Sequence, residues 1–157
     1  MRTRMTAGSA LLALGLLLGV VVPTSASSPQ VSTWTNQAVD AGYFWCGSTP
    51  ITGDWMVSHT LKIFFNADGT PTRDIETIDY TGAFVNPANG LSIADSGRST
   101  FFDTLAPDYS YISTMMNGVR HSAYFHAAGR TDFQTGAHVG VDKYEVGLAA
   151  ACVALGA

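Results

Sequence analysis

Alternation of apolar and polar side chains is the feature that most constrains how this chain folds. Between residues 54 and 65, apolar or ring-bearing residues hold every second position, and polar residues fill most positions between them. A period of two sends successive side chains to opposite faces of an extended backbone, so this segment is predicted to be a strand with one buried face. The residues of that face are Trp55, Val57, His59, Leu61, Ile63 and Phe65.

Turn-forming sequences divide the rest of the chain into similar short segments. They lie at residues 66–69, 86–90 and 106–108, and Asn117 with Gly118 forms a dipeptide that strongly favours a hairpin. About seven to eight strands joined by tight turns, without a long amphipathic helix, indicate an all-β fold. Consecutive hairpins favour an antiparallel meander, and closing a meander into a barrel removes its exposed edges. The sequence therefore predicts a small antiparallel meander β-barrel.

The amino terminus has the three parts of a secretory signal peptide. Arg2 and Arg4 precede an apolar run over residues 10–22, and small residues up to Ala26 follow it. A transmembrane anchor is the alternative, but the run is shorter than the roughly 20 apolar residues that span a bilayer. We predict that residues 1–26 are removed, that the mature chain has no transmembrane segment, and that the protein is secreted.

The remaining chain is long enough for one domain with one core. Residues 27–41 are small and polar, and they are predicted to form a flexible N-terminal arm with one helical turn near residues 36–41. Residues 42–157 are predicted to form the single β-barrel domain. Small apolar residues at 148–155 favour a short C-terminal helix.

Cys46 and Cys152 are the two cysteines of the chain. In an exported protein, an even number of cysteines favours a disulfide, and one bridge here would tie the first core segment to the C-terminus. The alternative is a redox or nucleophilic cysteine, but neither residue has a Cys-x-x-Cys neighbour.

Charge argues against nucleic acid as a partner. The whole chain carries a formal net charge of −4, and loss of Arg2 and Arg4 with the leader makes the mature chain more acidic. No cluster of lysine and arginine follows the leader, so the mature surface lacks the basic patch that phosphate backbones require.

Two histidines are candidates for a site. By alternation, His59 and His121 lie on the apolar faces of their strands, and inside a barrel they would face one cavity together with Trp55 and Phe125. These four residues are the predicted ligand contacts. Imidazoles could also bind a metal or act as a general base, but no metal-binding histidine spacing is present. We predict no metal, no cofactor and no catalytic residue; the alternative for each histidine is a hydrogen-bonded structural role.

A short acidic run lies on the second predicted strand. Asp74, Glu76 and Asp79 could supply the paired carboxylates of acid–base catalysis. Alternation places Asp74 and Glu76 on one face, and a solvent-exposed face is the favoured interpretation.

Five short motifs, spread over roughly residues 42–155, carry a resemblance to a known group. They are Phe44-Trp45-Cys46-Gly47, Phe65-Asn66-Ala67-Asp68-Gly69, Asn86-Pro87-Ala88-Asn89-Gly90, Ala128-Gly129-Arg130-Thr131-Asp132-Phe133 and Cys152-Val153-Ala154-Leu155. With them the chain resembles small secreted actinobacterial proteins of unknown function. The resemblance implies a small β-barrel similar in outline to lipocalin-like or allene-oxide-cyclase-like barrels, and it implies no catalytic residue.

Three functional hypotheses remain open from the sequence. The favoured one is a non-enzymatic secreted barrel that binds a small, largely apolar ligand, because barrels of this size can hold one ligand. The second is an enzyme of the cyclase or isomerase kind that works inside the barrel. The third is a protein-interaction or inhibitor domain with a solid core.

Overall fold

A computed structural model describes residues 28–157, and it contains seven strands followed by one helix. The predicted signal peptide lies outside the described residues. The elements are β1 (Gln30–Cys46), β2 (Thr49–Phe65), β3 (Pro71–Val85), β4 (Ser92–Leu105), β5 (Tyr111–Ser122), β6 (His126–Asp132), β7 (His138–Asp142) and α1 (Tyr144–Ala154). Helix α1 is too short to cross a membrane, and the described residues contain no helix that could.

The strands form one antiparallel sheet in which each strand pairs with the next along the chain. The predicted all-β meander is therefore confirmed, but closure into a barrel is wrong. Strands β1 and β7 stay at opposite edges of an open sheet. The two edges match poorly in length, since β1 has 17 residues and β7 has five.

Residues 30–41 of the segment predicted to be a flexible arm belong to the edge strand β1. Its residues pair with β2 without interruption from Gln30, opposite Ile63, to Asp40, opposite Gly53. The predicted helical turn at residues 36–41 is wrong for the same reason. Small polar residues suit an edge strand whose side chains are mostly exposed, and the long β2 offers them a complete row of backbone partners.

The register divides the sheet into two faces that differ in burial. The inner face carries Phe84 of β3, Asp95 of β4 and Arg120 of β5, and α1 packs against one end of it. The outer face carries the residues between them, including the exposed Met56 of β2. The central strands β2 and β4 thus bury alternate side chains on the inner face, as the period of two requires.

Aromatic rings make up the core between the sheet and α1. Phe44, Phe84 and Phe125 meet edge to face in all three pairings, with ring centroids 5.1 to 5.5 Å apart. Ala151 and Leu155 of the C-terminal segment are completely buried against this cluster. Such ring pairs add about 0.5 to 1.5 kcal/mol each beyond the burial of their area.

The predicted disulfide and the predicted C-terminal helix are both confirmed. Cys46 at the end of β1 is bonded to Cys152 of α1, with 5.4 Å between the two Cα atoms. Close by, the buried Asn86 donates a hydrogen bond from Nδ2 to the carbonyl oxygen of Leu155 over 2.9 Å. These links hold α1 over one end of the inner face.

Candidate ligand-binding site

A cavity of about 250 Å³ opens on the inner face beside the aromatic core. Its walls come from β1, β2, β3 and β5, and they are mainly apolar and aromatic. The lining residues are Tyr43, Trp55, Val57, Ile78, Tyr80 and Arg120.

Glycines opposite the two large rings leave room for this wall. Trp55 pairs with Gly82 on β3, and Tyr80 pairs with Gly97 on β4. A Cβ atom at Gly82 would overlap the backbone and ring of Trp55, and one at Gly97 would overlap the phenol of Tyr80. The rings therefore lie over bare backbone, which only glycine permits at such close approach.

A buried ion pair forms the polar wall of the cavity. Arg120 donates from Nε and Nη2 to the two carboxylate oxygens of Asp95, over 2.9 and 2.8 Å. Trp55 donates from Nε1 to Asp95 over 3.0 Å, and Arg120 also donates from Nη1 to the hydroxyl of Tyr43 over 3.1 Å. The carboxylate of Asp95 thus accepts three hydrogen bonds, and its charge compensates that of Arg120.

Aromatic rings surround the guanidinium as well. Its central carbon lies 5.0 Å from the ring centroid of Phe84, 5.4 Å from that of Tyr43 and 5.8 Å from that of Phe125. Contacts of this kind attract a cation to the electron-rich face of a ring. Arg120 therefore joins the core cluster to the cavity.

Two titratable groups of the wall, Arg120 and Tyr80, keep one protonation state near neutral pH. Burial opposes the charge on Arg120, but its hydrogen bonds to Asp95 and Tyr43 outweigh this and raise the pKa of the guanidinium. Burial also raises the pKa of Tyr80 to about 12; the charge of Arg120 works against that change and the charge of Asp95 adds to it. The phenol consequently stays neutral, and the cavity as a whole presents no net charge.

A second cavity, of about 290 Å³, adjoins the first. It shares Tyr43, Tyr80 and Arg120 as a common wall and extends over β5, β6 and β7. Gly118 and Gly129, which pair with each other, are among the residues that line it. The inner face therefore offers two neighbouring spaces on either side of the tyrosines and the arginine.

The structure brings together some of the four predicted ligand contacts and separates others. Trp55 lines the cavity, and Phe125 lies in the core, where both residues contact Phe84. His59 lies on the inner face, two residues beyond Val57 along β2. His121 is exposed on the outer face, so the expected shared cavity of His59 and His121 is wrong.

The prediction for His121 is wrong because the alternation in β5 points to the wrong face of the strand. Val119, His121 and Ala123 look like the apolar series, but the inner positions are Gly118, Arg120 and Ser122. A buried arginine reverses the expected pattern because Asp95 pairs with it. Opposite charges on neighbouring predicted strands are the signal that could have found this pair.

His59 is held by hydrogen bonds to its neighbours, which agrees with the alternative prediction of a structural role. Its Nδ1 lies 2.8 Å from Glu76 Oε1, and its Nε2 lies 2.9 Å from Asn36 Oδ1. The imidazole also stacks on Trp34, with ring centroids 4.5 Å apart. The ring is thus fixed on both edges and one face, and it joins β1, β2 and β3.

Two buried carboxyl groups lie on the inner face, at the end away from α1. Asp74 and Asp103 are cross-strand partners, and each has an Oδ1 atom without a hydrogen-bond partner among residues 28–157. Burial, then the hydrogen bond and charge of Asp103, then the charge of Glu76, raise the pKa of Asp74 to about 7. The predicted solvent-exposed face is therefore wrong for Asp74. Asp79, by contrast, is on the outer face and bonds Arg98.

Residues 28–157 contain no cluster of potential metal ligands. In the described part of the chain, no three histidine, cysteine, aspartate or glutamate side chains are arranged so as to hold a metal ion. The candidate site is the cavity beside Arg120, which combines apolar and aromatic walls with a hydrogen-bonded ion pair.

Fold and site together define an all-β protein with an open seven-stranded meander and a neutral, ring-lined cavity on its inner face. No protein-family model, no curated protein and no solved structure matches this chain.

Proposed function

We propose that this protein is secreted and binds a small, uncharged, largely apolar molecule in the inner-face cavity without catalysing its conversion. The observation that carries the proposal is the cavity wall, where apolar and aromatic side chains surround one cation that Asp95 neutralises. Apolar concave sites with a few converging polar groups are the usual form of small-molecule sites. The Cys46–Cys152 disulfide is compatible with an oxidising, extracytoplasmic location.

The polar groups of the wall suggest one hydrogen-bonded oxygen on the ligand. A guanidinium has five N–H donors. Asp95 and Tyr43 accept three hydrogen bonds from Arg120, so two donors remain. The Tyr80 hydroxyl lies on the same wall. A ketone, ether or alcohol on a flat apolar molecule would satisfy these groups, whereas an ionised acid would enter a wall whose positive charge is already compensated.

The same contacts favour binding over catalysis. Asp95 accepts three hydrogen bonds from Trp55 and Arg120, and its completely buried carboxylate is not part of the cavity lining. Tyr80, with a pKa of about 12, exchanges its proton poorly near neutral pH. Neither group has the properties of an efficient general base.

Two fluorescent probes with the same ring system test the predicted neutrality. N-phenyl-1-naphthylamine is uncharged, and 1-anilinonaphthalene-8-sulfonate carries one negative charge. Titration of the protein should show saturable fluorescence enhancement with the neutral probe and at least tenfold weaker binding of the sulfonate. Tighter binding of the sulfonate would mean that Arg120 acts as a free cation and would contradict the proposal.

A matched pair of variants locates the binding. Ile78→Trp places an indole ring in the cavity in place of a smaller aliphatic side chain. Met56→Trp places the same ring on the outer face, where Met56 is 55% exposed. We expect Ile78→Trp to weaken binding of the neutral probe at least tenfold and Met56→Trp to leave it unchanged. Circular dichroism establishes that both variants fold. Equal affinities in the two folded variants would place the probe elsewhere and overturn the site.

A further inference from the structure

The two edges of the open sheet differ in how they are protected from pairing with another strand. Strand β7 has five residues, includes Gly140 and ends at Asp142, directly before Lys143 and α1. Strand β1 is regular from Gln30 to Asp40 and contains no lysine, arginine or proline. Short length, charge, proline and bulges are the usual protections of an edge, and of these this part of β1 has only one charge, at its end, on Asp40.

Exposed apolar side chains accompany the open edge. Val31 is 57% exposed, Val39 is 60% exposed and Trp34 is 42% exposed. Val31 and Val39 lie on the outer face, at equal distances from Thr35, and Trp34 lies on the inner face. The regular part of β1 is therefore nearly symmetric about Thr35 in both length and apolar pattern.

We propose that two copies of this protein pair edge to edge through β1, antiparallel, about a two-fold axis at Thr35. In this register Val31 lies opposite the partner's Val39, and Trp34 lies opposite the partner's Asn36. Thr35 lies opposite the partner's Thr35. The pairing joins the two seven-stranded sheets into one continuous sheet. It gives hydrogen-bond partners to the backbone groups of residues 30–40 that point away from β2.

This register pairs all three exposed large apolar residues of the regular part of β1 at once. The two valines form cross-strand pairs on the outer face, and directly opposed apolar pairs stabilise a sheet. Trp34 and the partner's Trp34 become diagonal neighbours, which are about 7 to 8 Å apart and within reach of large rings. A shift of one residue along the edge would instead send Val31 to the face opposite from Val39, since side chains alternate.

Charge favours a second copy over a charged partner. Asp40 is the one charged residue between positions 30 and 40, and in the proposed register it lies opposite the partner's Gln30. No like charges therefore meet across the axis. A strand that is neutral and symmetric complements itself, whereas a peptide rich in one charge would find no counter-charge along β1.

Light scattering after size-exclusion chromatography tests the proposal on protein exported from its full coding sequence. We expect a dimer that dissociates on dilution. Thr35→Lys places two lysines opposite each other at the axis and should weaken the dimer at least tenfold, while Val139→Lys on the β7 edge should leave it intact. A monomer at all concentrations, or a dimer that only Val139→Lys disrupts, would overturn the proposal.

Cross-linking tests the register separately. Directly opposed residues of antiparallel strands have Cα atoms about 4.5 to 5.5 Å apart, which a disulfide can bridge. Under mild oxidation, Thr35→Cys should give a covalent dimer on a non-reducing gel. Thr33→Cys should not, because residue 33 lies opposite the partner's Gln37. A covalent dimer from Thr33→Cys alone would contradict the axis at Thr35.

Discussion

The two ends of the inner face lie on the same strands, but their buried carboxyl groups have different partners. At the end covered by α1, Asp95 is paired with Arg120 and accepts a further hydrogen bond from Trp55. At the opposite end, Asp74 lies across from Asp103, and each keeps an unpaired oxygen within the described chain. Burial of a carboxylate is tolerated when a cation and donors surround it, and otherwise its pKa rises until it holds a proton.

What covers the sheet accounts for this difference. The disulfide and α1 cover the first end, where the side chain of Asp95 is completely buried. No helix among residues 28–157 covers the second end, and its polar side chains bond one another, as His59 does with Glu76. The comparison indicates that rigidity and the binding cavity belong to the covered end, whereas sensitivity to pH belongs to the other.

Removal of the disulfide should have the largest effect. The bridge joins residues 106 positions apart, and a loop of this size corresponds to about 4 to 5 kcal/mol in the chain-entropy account. The double variant Cys46→Ala with Cys152→Ala should therefore lose about that much free energy of unfolding, measured by urea denaturation. A loss below about 1 kcal/mol would mean that α1 stays in place without the bridge.

Breaking the buried ion pair should come next. Asp95→Leu leaves Arg120 buried without a counter-charge, and we expect a loss of about 3 to 4 kcal/mol in the free energy of unfolding. The double variant Asp95→Leu with Arg120→Met should recover most of it. Asp79→Leu removes the exposed partner of Arg98 on the outer face and should change stability little. Equal losses for Asp95→Leu and Asp79→Leu would contradict the assigned difference in burial.

The pH dependence of stability should report on the uncovered end. The folded pKa of Asp74, about 7, lies above its ordinary value of 3.8, so this group stabilises the fold fully below about pH 4. That contribution, about 2 to 3 kcal/mol, is lost as the pH rises through 7. Urea denaturation of the parent protein should therefore show falling stability between pH 5 and pH 8.

Matched variants assign this profile to Asp74. Asp74→Asn mimics the protonated acid and should flatten the profile, whereas Asp79→Asn, on the outer face of the same strand, should leave it unchanged. An unaltered slope in Asp74→Asn, or stability that rises with pH over this range, would remove the role of the carboxyl pair.

The contact between the turn after β3 and the C-terminus should have the smallest of these effects. Asn86→Ala removes the hydrogen bond from Asn86 to Leu155, and Asn89 still donates to the same oxygen over 3.0 Å. We expect a loss of about 1 to 2 kcal/mol by urea denaturation. An exposed asparagine on the outer face of β5, Asn117, provides the control as Asn117→Ala. A loss as large as that of the disulfide variant would show that this turn, and not the bridge, holds α1.

Local patterns were sufficient for most of the fold. Alternation around Trp55, the turns at residues 66–69 and 86–90, and the pairing of Cys46 with Cys152 all predict features that the structure contains. The hairpin turn predicted at Asn117 and Gly118 is wrong, because both residues lie within β5 and pair with β4 and β6. These signals lie within a few residues or depend on compartment alone. Strand order followed from them because each strand pairs with its neighbour in sequence.

Features that depend on distant partners were missed. Residues 30–41 form strand only because β2 extends beside them, and their own composition suggests a loop. Arg120 becomes an inner-face residue only because Asp95 neutralises it, and Asp74 is buried although its cross-strand partner is another carboxyl group, Asp103. Closure of the sheet likewise depends on the relative lengths of β1 and β7, which a one-dimensional pattern does not compare.

Native mass spectrometry of the protein recovered from the culture fluid of its own organism tests the central claim most directly. We predict an added mass of a small neutral molecule that survives gentle ionisation, is released on unfolding and is absent from Ile78→Trp. The polypeptide mass alone, for protein that also fails to bind the uncharged naphthylamine, would contradict a ligand-binding role for the inner-face cavity.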